Sequence, residues 1–339
     1  MRNKKKLLAT ISLDLDDQWT YMKVHGDNGW ESFPSYLDVF LPLVLDVLDK
    51  LEIKITFFIV GKDASLEKNH ALLRSIIEHG HEIANHSFHH ESWLKTYSKE
   101  KIEEEIRIAE EAILTATGTR TNMFRGPGFS WSNDLLEVLQ KRNYIFDASL
   151  LPTYISPLMR RYYFWKSKLS KEEKESRKEL FGSFKEGFYP LKPFHWNFKN
   201  EKKIKEIPVT TMPVFKIPFH QSYLLYISGV SLILMKCYLR FAIFMCKITR
   251  TQPSYLLHPL DLMGKDHVPS LAFFPGMDIK SERKLKIFKI AITILKKHFE
   301  LVPMSEFSKR LSSNLKSISL ENTIDNSKKE ATKTNANVI

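Results

Sequence analysis

The sequence predicts an α/β protein with a parallel sheet covered by helices on both faces. Three observations predict it. Residues 53–60 (IKITFFIV) form an unbroken apolar, β-rich run that stops at Gly61, the pattern of a strand buried on both sides. Such runs alternate with amphipathic helical segments through the first 150 residues. Acidic and imidazole side chains gather where predicted strands end, as in barrels and open α/β sheets.

In chain order, Leu7–Leu15 is a strand that runs into Asp14, Asp16 and Asp17. Lys4, Lys5 and Lys6 precede it like the start of a signal peptide, but the apolar run is short and Asp14 interrupts it, so the chain is expected to be cytoplasmic. Residues 36–51 repeat Val39, Phe40, Leu43, Val44, Val47 and Leu48 at helical spacing. Residues 66–79 form a helix stopped by Gly80, and Glu82–Asn85 is a short strand delivering His86. Lys99–Thr117 is a charged amphipathic helix ended by Gly118. Met123 and Phe124 lead into the turn Arg125-Gly126-Pro127-Gly128, followed by a helix over 133–142 and a strand over 144–148.

Residues 157–206 carry Lys, Glu, Phe and Trp without a clean period, which predicts an insertion or an excursion roofing the cleft. A strand follows over 207–214. Residues 222–248 are apolar but interrupted by Lys236 and Arg240, which argues against a full membrane span and leaves a buried helix pair or an interfacial membrane helix. A strand over 254–258 and a helix over 285–298 close a single catalytic domain spanning 1–311. The polar stretch 312–339 has no aromatic residue and is expected to be disordered.

The formal net charge of +12 favours anionic partners, although its basic runs read first as solvated surface and only then as an anionic membrane face. No nucleic-acid-binding module accompanies the basic runs, so nucleic acid is not an expected partner. The two cysteines, Cys237 and Cys246, match no zinc or redox spacing and build no disulfide framework; they are expected to be buried thiols in a reducing compartment.

The chemistry starts at His86-Ser87-Phe88-His89-His90, where two histidines four apart share one face if the segment is helical and can hold one metal. Strand alternation puts Asp14 and Asp16 on one side, with Leu15 on the other. Two carboxylates side by side repel unless a cation or a shared proton relieves them. Two histidines and one carboxylate form a zinc set with an open position. Trp19 and Trp131 lie beside these motifs as candidates to line a cleft or fill the core. His79, His81 and His89 read as turn or packing residues.

The ordered series SLDLDD, HSFHH, RGPGF, FDASL and YLLH resembles the polysaccharide deacetylase family, the NodB-homology group of carbohydrate esterase family 4. The resemblance runs from Leu7 to just past His258. It implies a distorted (β/α)7 barrel of the NodB-homology type, with an insertion before the last catalytic strand. It further implies that Asp16, His86 and His90 hold a divalent metal, zinc for preference. Asp14 is the implied general base and Arg125 its orienting partner. His258 is the implied acid for the leaving amine, and Asp147 tunes that histidine. A backbone N–H near Gly128 or Phe129 is a candidate oxyanion donor. The common family pattern has adjacent aspartates, TFDDG, where this chain has SLDLDD followed by Gln18 and Trp19, so Asp16 as base with Asp17 as ligand stays open. Asp261, three residues past His258, is a further candidate partner for it.

The segments PVTTMPVFKIPFHQSYLL, PSYLLHPLDLMG and FFPGM are similar to the branch near lipid-linked aminoarabinose deformylases. That resemblance implies removal of an acetyl or formyl group from an amino sugar on a polyprenyl-linked or other glycan precursor. It places the chain in the cytoplasm, peripheral on the inner face of the cytoplasmic membrane. Two alternatives are an allantoinase-like hydrolase of small soluble amides and a non-catalytic glycan-binding protein of the same fold.

Overall fold

The computed structural model describes residues 6–158, 161 and 184–320. Its centre is strand β1 (Leu7–Leu15), flanked by β2 (Thr56–Ile59) and β8 (Ser254–Leu257), both parallel to it. From β2 the sheet continues through β3 (Glu82–Asn85), β4 (Met123–Phe124), β5 (Phe146–Asp147) and β7 (Lys203–Glu206), every pair parallel. Seven parallel strands therefore run in the order β7-β5-β4-β3-β2-β1-β8. The chain just beyond β7 turns back towards β8, where Thr210 N–H donates to the Ser254 carbonyl at 3.0 Å. That contact brings the two ends of the sheet together, as a distorted (β/α)7 barrel requires.

Strand parity sorts the core. Phe57 points outward into the helix layer, while Phe58 points inward with Leu8, Ala84 and Phe146. Both phenylalanines are fully buried, each stabilising the fold by about 2–3 kcal/mol. The outer layer against β1 and β2 comes from α2 (Leu37–Lys50) and α9 (Ser281–His298). A second layer packs α5 (Lys99–Thr117) and α6 (Asn133–Lys141) with Trp196. The lower end of the barrel is plugged by α10 (Met304–Arg310), whose Met304 and Phe307 join the inward cluster. Strand β9 (Phe299–Leu301) pairs with the start of β1.

Helix α5 shows why the boundary residues sit where they do. Ser98 caps its start by accepting the Lys101 N–H, and Gly118 ends it in the left-handed region at φ 72°.

Several expectations need correction. The strand predicted over 207–214 lies instead at Lys203–Glu206, because Pro208 and Pro213 have no N–H to give a ladder. Of the predicted insertion 157–206, residues 159–160 and 162–183 lie outside the described residues. The rest is not all excursion: β6 (Phe194–Asn197) forms an antiparallel hairpin with β7. The predicted disordered tail begins too early, since β10 (Lys316–Ser319) pairs parallel with β6; residues 321–339 lie outside the described residues. The apolar stretch 222–248 is a pair of helices, α7 (Gln221–Val230) and α8 (Leu232–Ile248), broken at Ser231, whose hydroxyl caps the second. Among the described residues no helix is long and apolar enough to cross a membrane.

Candidate active site

The site is built at the carboxyl ends of β1, β3, β4 and β8. Alternation along β1 buries Leu13 and Leu15 in the outer layer and turns Ser12 and Asp14 inward. Arg125, immediately after β4, is fully buried. Its Nη1 donates to Asp14 Oδ1 at 2.6 Å and to Ser12 Oγ at 2.9 Å, and its Nε donates to the Ala148 carbonyl at 3.0 Å. The guanidinium also lies over the Phe58 ring, 4.2 Å from its centroid. Three polar anchors and an aromatic floor fix this cation, and the cation fixes Asp14.

His86 and His90 do not sit on a helix. They flank a loop that leaves β3, and Ser87 and His90 have φ of 61° and 53°. The loop's shape comes from its hydrogen bonds rather than from helical spacing. Asn85 Oδ1 accepts the Ser87 N–H, Gly61 N–H donates to the Ser87 carbonyl, and the Glu105 carboxylate of α5 accepts from both Phe88 and His89 N–H. Gly61 is required here, since a Cβ would fall 2.7 Å from the Ala109 backbone.

One oxygen of Asp16 and one nitrogen from each of His86 and His90 lie within 4.8 Å of one another, all in buried residues. His86 Nδ1 faces the Arg125 carbonyl at 2.7 Å. A carbonyl only accepts, so the proton sits on Nδ1 and the Nε2 lone pair faces Asp16. Asp16 Oδ1 lies 3.4 Å from that nitrogen and 3.0 Å from His90 Nε2, yet has no hydrogen-bond partner. A lone pair and a carboxylate oxygen pointing at one another in a buried site repel unless a cation lies between them, so the three residues fit a divalent metal. Burial opposes the Asp16 charge, but the imidazole of His90 above all draws its carboxyl far below the usual range.

Asp17 is turned away from this cluster. Its Oδ1 accepts from Gln18 N–H and Tyr36 N–H, capping α1 (Gln18–His25). The arrangement therefore places Asp16 with the histidines and Asp14 with Arg125, and leaves no ligand position for Asp17.

His258 follows β8, with Nε2 3.9 Å from Asp14 Oδ2. Its other side faces Asp261, whose Oδ2 accepts the His258 backbone N–H at 2.9 Å and lies 3.7 Å from Nδ1. Burial works against the imidazolium, but Asp261 and then Asp14 prevail and lift His258 to about 9. The same pairing overcomes burial to hold Asp261 low.

Asp147 does not take the predicted role. Its Oδ1 accepts the Ser149 hydroxyl at 2.6 Å, and Ser149 Oγ accepts the Gly126 N–H at 2.8 Å. Its other neighbour is the Glu206 carboxyl. Burial raises Asp147 to about 6 and Glu206 well above its ordinary value. This pair shapes the turn beneath Arg125; the carboxylate on His258 is Asp261. The Phe129 N–H, a candidate oxyanion donor, is occupied by the Gly126 carbonyl at 3.1 Å.

Beside the histidine loop lies a cavity of about 590 Å³ lined by Trp19, Lys23, Trp30, Phe33, Glu91 and Trp93, among others. Lys23 donates to Glu91 and to the His89 carbonyl, and its ammonium lies 4.9 Å from the Trp30 ring centre. Trp19 is buried, with Nε1 donating to Asp63. Trp131 stacks on Trp196 within the core. His79 meets Asp49, His81 accepts the Ile55 N–H, and His89 meets Glu105, so none of the three reaches the metal-ligand set. Trp30, Lys23 and Trp93 were missed in the sequence because nothing local joins residues 23–33 to 93. Cys237 is exposed, contrary to expectation, and Cys246 is buried.

Residues 21–146 match the family model for polysaccharide deacetylase. A 101-residue stretch is 34% identical to the peptidoglycan-N-acetylmuramic acid deacetylase of Bacillus subtilis, covering 30% of this chain and 35% of that protein. A 99-residue stretch is 33% identical to the chitooligosaccharide deacetylase of Sinorhizobium fredii, covering 29% of this chain and 45% of the relative. The chain thus spans between about a third and a half of the length of these curated relatives. A Mycobacterium smegmatis crystal structure described as a polysaccharide deacetylase superposes with a TM-score of 0.55 over 91% of both chains at 16% identity, a likeness of fold.

Proposed function

We propose that this chain, which carries a polysaccharide deacetylase domain, hydrolyses the N-acyl group of an amino sugar, an acetyl or a formyl group, on a polyprenyl-linked or other glycan precursor. One observation carries the reading: Asp14, Asp16, His86, His90 and His258 stand together at the strand ends, with Arg125 on Asp14 as a complementary partner. Asp16, His86 and His90 would hold a divalent cation, zinc by the preference of such donors, which would supply Lewis acidity towards an amide carbonyl. Asp14, oriented by Arg125, takes a proton from the attacking water as the water oxygen adds to the carbonyl carbon. His258, protonated below about 9, gives its proton to the nitrogen as the C–N bond breaks. The products are a free amino sugar and acetate or formate.

The aromatic cavity beside the His86–His90 loop supports a sugar substrate, since Trp and Phe faces suit the apolar face of a pyranose and Lys23, Glu91 and Asp27 suit its hydroxyls. Purified protein should contain one equivalent of divalent metal and release acetate or formate from N-acylated amino sugars. His86→Ala should lose both metal and turnover. A metal-free wild type inert on free and polyprenyl-linked sugars alike would overturn the reading.

A further inference from the structure

The helix pair α7–α8 and the loop before it expose an apolar surface that the chemistry above does not use. Among the described residues, ten of the sixteen large hydrophobic side chains that stand exposed fall between Val214 and Ile248. Val214 and Phe215 project from the loop, with 70% and 49% of their surface open. The Phe215 ring lies 6.1 Å from that of Phe241 on α8, which joins loop and helix into one surface.

Helix α8 is apolar on both faces. Met235, Leu239, Ala242, Ile243 and Cys246 face the barrel, and on the opposite side Ile233, Phe241, Phe244 and Ile248 are exposed. Between its cations Lys236, Arg240 and Lys247, the outer face of α8 therefore carries large apolar side chains as the inner face does. Contiguous apolar surface of this kind marks an interaction site.

Charge identifies what covers it. From Ile207 to Leu260 the sequence contains no Asp or Glu, while Lys216, Lys236, Arg240, Lys247 and Arg250 all lie within that stretch. Arg240 and Lys247 are exposed on α8 among its apolar residues. A second copy of this surface would set like charges against each other, whereas an anionic lipid surface meets both the apolar side chains and the cations. We infer that α7, α8 and the loop at residues 214–217 dock this protein onto an anionic lipid bilayer.

The geometry ties the docking face to the site. His220 and Ser222 lie at the start of α7, where Ser222 bonds Asp261 and the Gln221 side chain accepts the Tyr255 hydroxyl. A membrane-seated α7 therefore holds the His258–Asp261 pair close to the lipid headgroups. The inference goes beyond the proposed reaction and stands or falls separately from it.

The test is vesicle binding by the full chain, read by flotation and by a solvatochromic fluorophore on the exposed Cys237. Vesicles of phosphatidylcholine with phosphatidylglycerol should bind the protein at least about tenfold more tightly than phosphatidylcholine alone, with a blue shift of the probe. Ile233→Ser/Phe244→Ser should abolish binding, and Arg240→Glu/Lys247→Glu should weaken it by about tenfold or more and remove its salt dependence. Both variants should keep turnover of a free N-acylated amino sugar, so loss of docking is read apart from loss of chemistry. Equal binding to neutral and anionic vesicles overturns the inference. So does a concentration-dependent dimer that buries the probe without lipid.

Discussion

Two pairs of acids stand at strand ends of this barrel, and their surroundings give them opposite chemistry. At the end of β1, Asp14 meets the Arg125 guanidinium and Asp16 meets two imidazoles. At the ends of β5 and β7, Asp147 and Glu206 meet each other, with Ser149, Trp196 and a backbone N–H as their donors. Burial is nearly the same for all four. Asp16 of the first pair is held low despite its burial because basic side chains face it. In the second, burial raises both carboxyls, so a shared proton takes the place of a cation. A buried acid at a strand end is thus reactive or structural according to its cation, and position alone does not decide.

The largest expected effect comes from breaking the first pair's cation set. His86→Ala should remove bound metal and lower turnover by more than about 10⁴-fold, measured by metal analysis and acetate or formate release. Asp14→Asn should lower kcat by about 10³-fold while leaving the metal in place, which separates the base from the ligand. If metal is lost as well, Asp14 belongs to the ligand set and the division drawn here fails.

His258→Gln should cost about 10²-fold in kcat. Because the His258 pKa is raised to about 9, the wild type should hold its acid below that pH and lose activity as pH rises through about 9. The variant's profile should lack that alkaline limb. Unchanged pH profiles in the two proteins would remove His258 from the acid's role.

The smallest effect belongs to the second pair. Asp147→Asn should leave turnover within about twofold, since Asp147 touches neither His258 nor the ligand set. Its raised pKa means that the folded state binds a proton the unfolded chain releases. That contribution to stability is present below the ordinary carboxyl range and is lost as pH rises through about 6. The Asn variant should flatten this fall by an amount of order 1 kcal/mol in denaturant titrations across pH 4–7. A large loss of turnover with the fold intact would return Asp147 to the catalytic group.

How much of this was legible before the structure follows from what local patterns encode. Parity along Leu7–Leu15 placed Asp14 and Asp16 together, and the apolar run around Phe57 and Phe58 marked the central strand. The ring order of the strands was implied by family resemblance rather than by any period. Partnerships across long separations were not legible. Nothing near Asp147 points to Glu206 rather than His258, whereas Asp261, three residues past His258, was legible as a candidate partner and does face it. The helical reading of HSFHH failed because Glu105, fifteen residues beyond His90, takes the N–H groups that a helix would have used. Short polar strands such as Lys316–Ser319 carry no apolar signal and read as tail.

The left-handed backbone at Ser87 and His90 limits how this motif can vary. Each such residue costs about 1 kcal/mol or more, and a branched Cβ there costs more still. A saturation library at Ser87 should therefore return Gly and Asn readily and reject Val, Ile and Thr, although none of these touches a metal. The sign of one dihedral angle, as much as coordination chemistry, sets which descendants of this loop remain able to fold around an ion.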